Sequence, residues 1–151
     1  MLRIAVQSKG RLFEDTMALF TEADIKLSTS KRTLLTQSSN FPVEVLFLRD
    51  DDIPQCVANG VADLGIVGEN EFVERAEEAE IVHRLGFSKC RLSLAIHKET
   101  EYNGLEWFNH KKIATSYPNI LKNFLTQQHI EADIHVITGV KPGDTIPAGT
   151  T

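Results

Sequence analysis

Three short apolar runs constrain this chain more than any other feature: "LRIAV" (Leu2–Val6), "VEVLFL" (Val43–Leu48) and "ADLGIVG" (Ala62–Gly68). Each is too short for an ordinary helix. The second is almost continuously apolar, as expected of a strand covered on both faces. After the first run, Leu12, Phe13, Thr16, Met17, Leu19 and Phe20 recur at helical spacing. "IPQCVANG" predicts a short helix ended by Gly60, and "ENEFVERAEEA" a polar helix after the third run. The second half repeats the pattern. Strands are predicted at "CRLSLAI" (Cys90–Ile96), "KKIATS" (Lys111–Ser116) and "DIHVIT" (Asp133–Thr138). Between the last two lies a helix whose stripe is Ile120, Leu121, Phe124 and Leu125. Strand–helix alternation along the chain predicts an α/β fold with mainly parallel sheets. Such sheets bind ligands at the carboxyl ends of their strands, beside helix N-termini.

The 151 residues suffice for one ordinary domain or two small lobes. A hydrophobic share of 42% supports a real core. The net charge of −5 argues against nonspecific binding to nucleic acid or anionic membranes, so any anion site must be a local basic cluster. Cys56 and Cys90 form no CxxC and read as two reduced, buried thiols of a cytosolic protein. "MLRIAVQSKGRLF" is too short and too polar for a signal peptide. No run reaches the about 18 apolar residues of a membrane helix. The expectation is a soluble, cytoplasmic protein with neither nucleic acid nor membrane as partner.

The strand ends carry the candidate chemistry. "SKGRL" places Lys9 and Arg11 around Gly10 where a strand passes into a helix. A helix N-terminus already offers free N–H groups and partial positive charge, so cations there favour a phosphate; two solvated loop side chains are the other reading. "TSKRTLL" adds Lys31 and Arg32, which a basic hairpin would equally explain. In "RDDDIP", Asp51 or Asp52 can cap the helix opening at Ile53–Pro54. Capping accounts for one or two aspartates but hardly for Asp50, Asp51, Asp52 and Arg49 together. The second reading is that some of them also face a cleft, holding Arg49, ligand hydroxyls or a ligand's Mg²⁺ through water. "GIVGEN" puts Glu69 and Asn70 after a buried strand, where they suit ribose or base recognition or another helix cap. "ATSYP" sets Thr115, Ser116 and Tyr117 before Pro118, as a nucleotide contact or a packed turn. The five histidines show no zinc spacing. Walker A, GxSxG and complete GxGxxG motifs are absent.

Taken together, "LRIAVQSKGRL", "RTLL", "LRDDDIPQCVANGVADLGIVGENEF", "RLGFSKCRLSLAI", "KKIATSYPNILKNFL" and "HVITG" resemble the ATP phosphoribosyltransferase family, in family order over residues 1–139. The resemblance implies a two-lobed α/β fold of mainly parallel or mixed sheets, similar to type II periplasmic binding proteins, with substrates in the cleft. It implies a first lobe over 1–89, a partial second lobe over 90–139 and an atypical tail over 140–151. The implied reaction is the first step of histidine biosynthesis: adenine N1 of ATP attacks the ribose C1 of phosphoribosyl pyrophosphate (PRPP), with Mg²⁺, and pyrophosphate leaves. Lys9, Arg11 and Arg32 would supply positive charge to the leaving group, which is where such charge acts most strongly. Arg49, Asp50, Asp51, Glu69 and Tyr117 would border the substrates.

The end of the chain departs from the family. A Ser-x-Glu segment and a helix should follow "HVITG" before a phosphate loop of the kind D-x-V-x-[ST]-G-x-T. Here "DTIPAGTT" matches that loop at Asp144, Ile146, Gly149 and Thr151, too early and with Pro147 inserted. Gly149, Thr150 and Thr151 are the residues it would bring to the substrate. An internal deletion, an unrelated tail and coincidence all produce such an end, and the expectation is the tail or coincidence. The second lobe would then be incomplete and activity weak or absent, with a homo-oligomer able to supply missing pieces. The alternative function is a small-anion-binding module of the solute-binding type, without catalysis.

Overall fold

A computed structural model describes residues 1–28, 34–75, 78–89 and 91–137. Expectations for Lys31, Arg32, Cys90, Gly149, Thr150, Thr151 and the 140–151 tail fall outside the described residues. The chain divides into two units, the first running from Met1 to Arg91 and the second starting at Leu92.

The first unit is built on β1 (Leu2–Gln7), the central strand of a sheet ordered β2-β3-β1-β4. β3 (Val43–Leu48) lies parallel to it, with Leu2 opposite Val43 and Gln7 opposite Leu48. β4 (Leu64–Gly65) is parallel on the other side, pairing Ile4 with Leu64 and Ala5 with Gly65. β2 (Leu35–Gln37) closes the far edge antiparallel to β3, so the sheet is mixed. Successive strand residues face opposite sides. Accordingly, Ile4, Val6, Val45 and Phe47 meet Phe13, Met17 and Phe20 of α1 (Arg11–Glu22) on one face. Ala5 and Leu48 meet Ile53, Cys56 and Val57 of α2 (Ile53–Ala58) on the other. Covering on both faces is why "VEVLFL" is apolar at nearly every position. Arg3 ties three segments together: its backbone N–H donates to the Asp63 carboxylate (2.9 Å), and its guanidinium donates to Glu44 (2.7 Å) and the Val61 carbonyl (3.1 Å).

Two expectations change in this unit and its neighbour. Asp50–Asp52 wind into a 3₁₀ turn that runs straight into α2, and Asp52 makes no side-chain cap bond. A capping carboxylate reaches the free N–H groups from extended backbone. Asp52 is helical instead (φ −90°, ψ −17°), because the turn extends the helix backwards. The strand expected over "CRLSLAI" also forms no ladder among the described residues. Leu94 and Ile96 still pack on a core, in the alternating manner of a strand. A ladder needs a neighbouring strand to accept its N–H groups, and among the described residues none pairs with this stretch.

In the second unit, β5 (Lys112–Thr115) and β6 (Asp133–Val136) pair in parallel, Lys112 opposite Asp133 through Thr115 opposite Val136. α4 (Pro118–Gln127) crosses between them in sequence, beginning at a proline whose missing N–H costs nothing in a first turn. Its Leu121 and Leu125 join Phe108, Ile113 and Ile130 in a buried cluster, against which Trp107 packs.

Candidate functional site

Parallel pairing in register carries three loops to one edge of the first sheet. β1 ends at Gln7 opposite Leu48, and the Ser8 N–H donates to the Leu48 carbonyl at 2.9 Å. "SKGR" therefore leaves the sheet beside Arg49 and the three aspartates. On the other side of β1, the Ile66 N–H donates to the Ala5 carbonyl, and the chain continues through Gly68 into α3 (Glu69–Arg75). This is the carboxyl edge, where α/β sheets take their ligands.

Lys9 and Arg11 are both exposed there. Gly10, between them, adopts φ +93°, a left-handed conformation that favours glycine, and stands as N-cap of the 12-residue α1 without a side-chain cap bond. The first turn of α1 thus presents its N–H groups beside two cations, an arrangement suited to an anion.

Arg49, at the end of β3, keeps its side chain 71% exposed. Its Nε lies 3.5 Å from the Asp51 carboxylate, whose Oδ1 is buried and accepts no hydrogen bond. The Asp50 carboxylate accepts the Asp51 N–H at 2.8 Å, which steadies the turn. Glu69 faces solvent and pairs with Arg84 at 3.0 Å. That pairing holds the Arg84 guanidinium above its ordinary pKa, through the hydrogen bond and then the charge of Glu69. Tyr117 belongs to the second unit, half-buried as N-cap of α4, with its N–H donating to the Thr115 hydroxyl at 2.9 Å. The structure thus gathers Lys9, Arg11, Arg49, Asp50, Asp51 and Glu69 on one sheet edge, while Tyr117 stands at the corresponding strand end of the other unit.

Residues that composition hid sit behind this edge. "ENEFVERAEEA" reads as a polar helix, yet Glu71 and Glu74 of α3 are buried. The Arg75 Nε donates to Glu71 at 2.8 Å, and its guanidinium lies 3.8 Å from Asp51. Burial pushes the Glu71 carboxyl up; the Arg75 hydrogen bond opposes this, and Asp50 and Asp51 add to it. The hydrogen bond it donates to Glu71 raises Arg75 in return. The i,i+4 spacing of Glu71 and Arg75 was the available signal. A cavity of about 650 Å³ opens alongside, lined by Leu12, Ile53, Gly68, Glu69 and Phe72 and by much of the 79–89 segment. Among the described residues no three His, Cys, Asp or Glu side chains are grouped to hold a metal ion. Among the described residues no helix is long and apolar enough to cross a membrane.

A model of the ATP phosphoribosyltransferase family matches residues 49–141. Curated ATP phosphoribosyltransferases are similar over the whole chain: 69% identical in Phocaeicola vulgatus, 70% in Bacteroides fragilis and 48% in Cytophaga hutchinsonii. The chain spans 57% of the length of each. Each match extends over 162 positions against 151 residues and includes the final segment. The relatives therefore carry positions inside the matched region that this chain lacks. Among solved structures, the ATP phosphoribosyl transferase (HisG:HisZ) complex from Thermotoga maritima superposes with a TM-score of 0.63 at 20% identity, covering 92% of this chain and 65% of that one. At that identity the likeness speaks for the fold.

Proposed function

The chain belongs to the ATP phosphoribosyltransferase family, and we propose that it serves phosphoribosyl transfer from PRPP to N1 of ATP, the first step of histidine biosynthesis. In that reaction the lone pair of adenine N1 forms a bond to ribose C1. The C1–O bond breaks, and pyrophosphate leaves with its electron pair. The nucleophile is already a lone pair and the leaving group an anion, so the protein's work is positioning and charge stabilisation rather than proton transfer.

The observation that carries this reading is the convergence of Lys9, Arg11 and Arg49 on the carboxyl edge beside the N-terminus of α1. Lys9 and Arg11, with Arg32, would hold the departing pyrophosphate, and the first-turn N–H groups of α1 add to the same field. Arg49, Asp50 and Asp51 would border the substrates, with Glu69 and Tyr117 toward the nucleotide. Gly149, Thr150 and Thr151 would supply a phosphate loop. Mg²⁺ would enter bound to PRPP and ATP, neutralising the polyphosphates. The cytoplasm, where both substrates occur, is the proposed compartment. Assembly with further copies of the chain is proposed for the working state. A first lobe over 1–89, a partial second lobe over 90–139 and a tail over 140–151 remain the proposed division.

The test is thermal stabilisation by PRPP with Mg²⁺, in the parent chain and in Arg11→Ala and Arg32→Ala. A stabilisation seen in the parent and lost in both variants supports the reading. A cooperatively unfolding parent that PRPP does not stabilise refutes a PRPP site in this chain.

A further inference from the structure

Behind the exposed cation Arg49 runs a file of alternating charges across three elements. Arg49 directly follows β3, Asp51 lies in the 3₁₀ turn, and Arg75 and Glu71 stand one helical turn apart on α3. The links are Arg49 Nε to Asp51 Oδ1 at 3.5 Å, Asp51 Oδ2 to Arg75 at 3.8 Å, and Arg75 Nε to Glu71 at 2.8 Å. The two ends of the file differ in exposure: the side chains are 71% exposed at Arg49 and 9% at Glu71, with Asp51 at 29% and Arg75 at 41% between them. The file has a wet end at the sheet edge and an anchored end under α3.

We infer that Arg75 is a positioning residue: clamped by Glu71, it holds the Asp51 carboxylate, which aims Arg49 at an anionic substrate. The inference rests on the reading that Arg49 meets the substrate, and it deepens that reading by adding a support the family motif does not name.

The physical argument starts from Asp51. Its Oδ1 is buried without a hydrogen bond, a costly condition for a charged oxygen. Two cations compensate it, one on each side. Asp50 and Glu71 bring further negative charge to the same place, so without Arg75 the acids would repel one another around a single exposed arginine. Arg49 would then be drawn inward as their counter-ion and lost to a ligand. Arg75 can bridge two carboxylates because its guanidinium carries several N–H donors on separate nitrogens, with Nε facing Glu71 and a terminal nitrogen facing Asp51. A lysine is a point charge and satisfies one of them. Glu71 is buried and sits four residues before Arg75 on the same helix, which fixes the inner end of the clamp.

The experiment follows the Nε–H signals of the arginine side chains by ¹⁵N NMR, with the Arg49 signal assigned by its loss in Arg49→Lys. In Arg75→Gln the Arg49 Nε–H is expected to lose its heteronuclear NOE while the backbone spectrum keeps its dispersion. Arg75→Lys should fall between the two. An unchanged Arg49 signal in folded Arg75→Gln overturns the inference. The second readout is Mg²⁺–PRPP affinity. Arg75→Gln should weaken it about tenfold, and the effect should vanish in an Arg49→Ala background, as for two residues acting through one contact. An equal loss in both backgrounds overturns the inference. If the parent itself fails to bind PRPP, the functional reading falls and the NMR arm still decides the positioning role. If Arg75→Gln does not fold, Asp51→Asn cuts the same file from the other side and must mobilise Arg49 alike.

Discussion

Gly65→Ala tests the packing that sets the third loop on the sheet edge. Gly65 ends β4 directly over α2. A Cβ built there would lie 2.7 Å from Cγ2 of Ile53 and 2.9 Å from Cγ2 of Val57. Both approaches are shorter than methyl carbons tolerate, and Ile53, the nearer neighbour, is wholly buried and cannot swing into solvent. β4 and α2 must therefore separate. Overpacking of this kind costs about 1–3 kcal/mol. An opposing term comes from the unfolded chain, which alanine restricts more than glycine, by about 0.4–1 kcal/mol. The net expectation is a loss of about 1–2 kcal/mol, which lowers the melting temperature of a unit this size by about 5–15 °C. Urea unfolding should show a lower midpoint at unchanged m. The control is Gly68→Ala, three residues on, where a Cβ meets nothing within 4 Å. There the unfolded-state gain and a weaker N-cap nearly cancel, within about 0.5 kcal/mol. A Gly65→Ala variant as stable as the parent, or more so, would refute the close approach of strand and helix.

Four further outcomes follow from the same geometry. The Thr16 hydroxyl is fully buried in α1 without a hydrogen bond, so Thr16→Val, of similar shape and helix propensity, should stabilise by about 1 kcal/mol in urea unfolding; destabilisation would mean an unseen partner for the hydroxyl. Glu71 is held above its ordinary pKa of 4.5, chiefly by burial, so its stabilising contribution is complete below that value and is lost as pH rises through its raised folded value. The melting temperature of the parent relative to Glu71→Gln should therefore rise as pH falls through this window, and a constant difference would contradict it. Arg3→Ala, which removes the Glu44 and Val61 contacts, should cost about 1 kcal/mol in the same unfolding assay, much of it salt-insensitive because one contact is to a carbonyl. In the second unit, Leu125→Ala should cost about 2–5 kcal/mol, read by the fluorescence of Trp107, which packs on the same cluster.

The α/β class, the strands at Leu2–Gln7, Val43–Leu48 and Lys112–Thr115 and the helices at Arg11–Glu22 and Pro118–Gln127 were legible because each depends on local periodicity. So was the carboxyl edge as the place to search: parallel strands joined by helices must end on one side. Pairing was not legible. "CRLSLAI" alternates as a strand should, yet a ladder needs a neighbour that sequence cannot supply. The cap expected from Asp51 or Asp52 is not made by Asp52, the residue at the N-cap, for a related reason: the turn before α2 continues the helix and removes the extended backbone a cap requires.

The sequence by itself determined which residues could meet an anion: Lys9 and Arg11 around a glycine, and Arg49 before three acids. Their chemistry is a property of the residue types and of the strand-to-helix junctions they occupy. Tertiary structure decided which charges are spent inside the protein and which remain for a ligand. Glu69 and Arg84 are fifteen residues apart and pair across a loop, while Arg75 reaches from α3 to Asp51 beside β3. Such pairings depend on the register of β1 with β3 and β4, and register is fixed by the burial of both sheet faces together rather than by any single stretch of the chain.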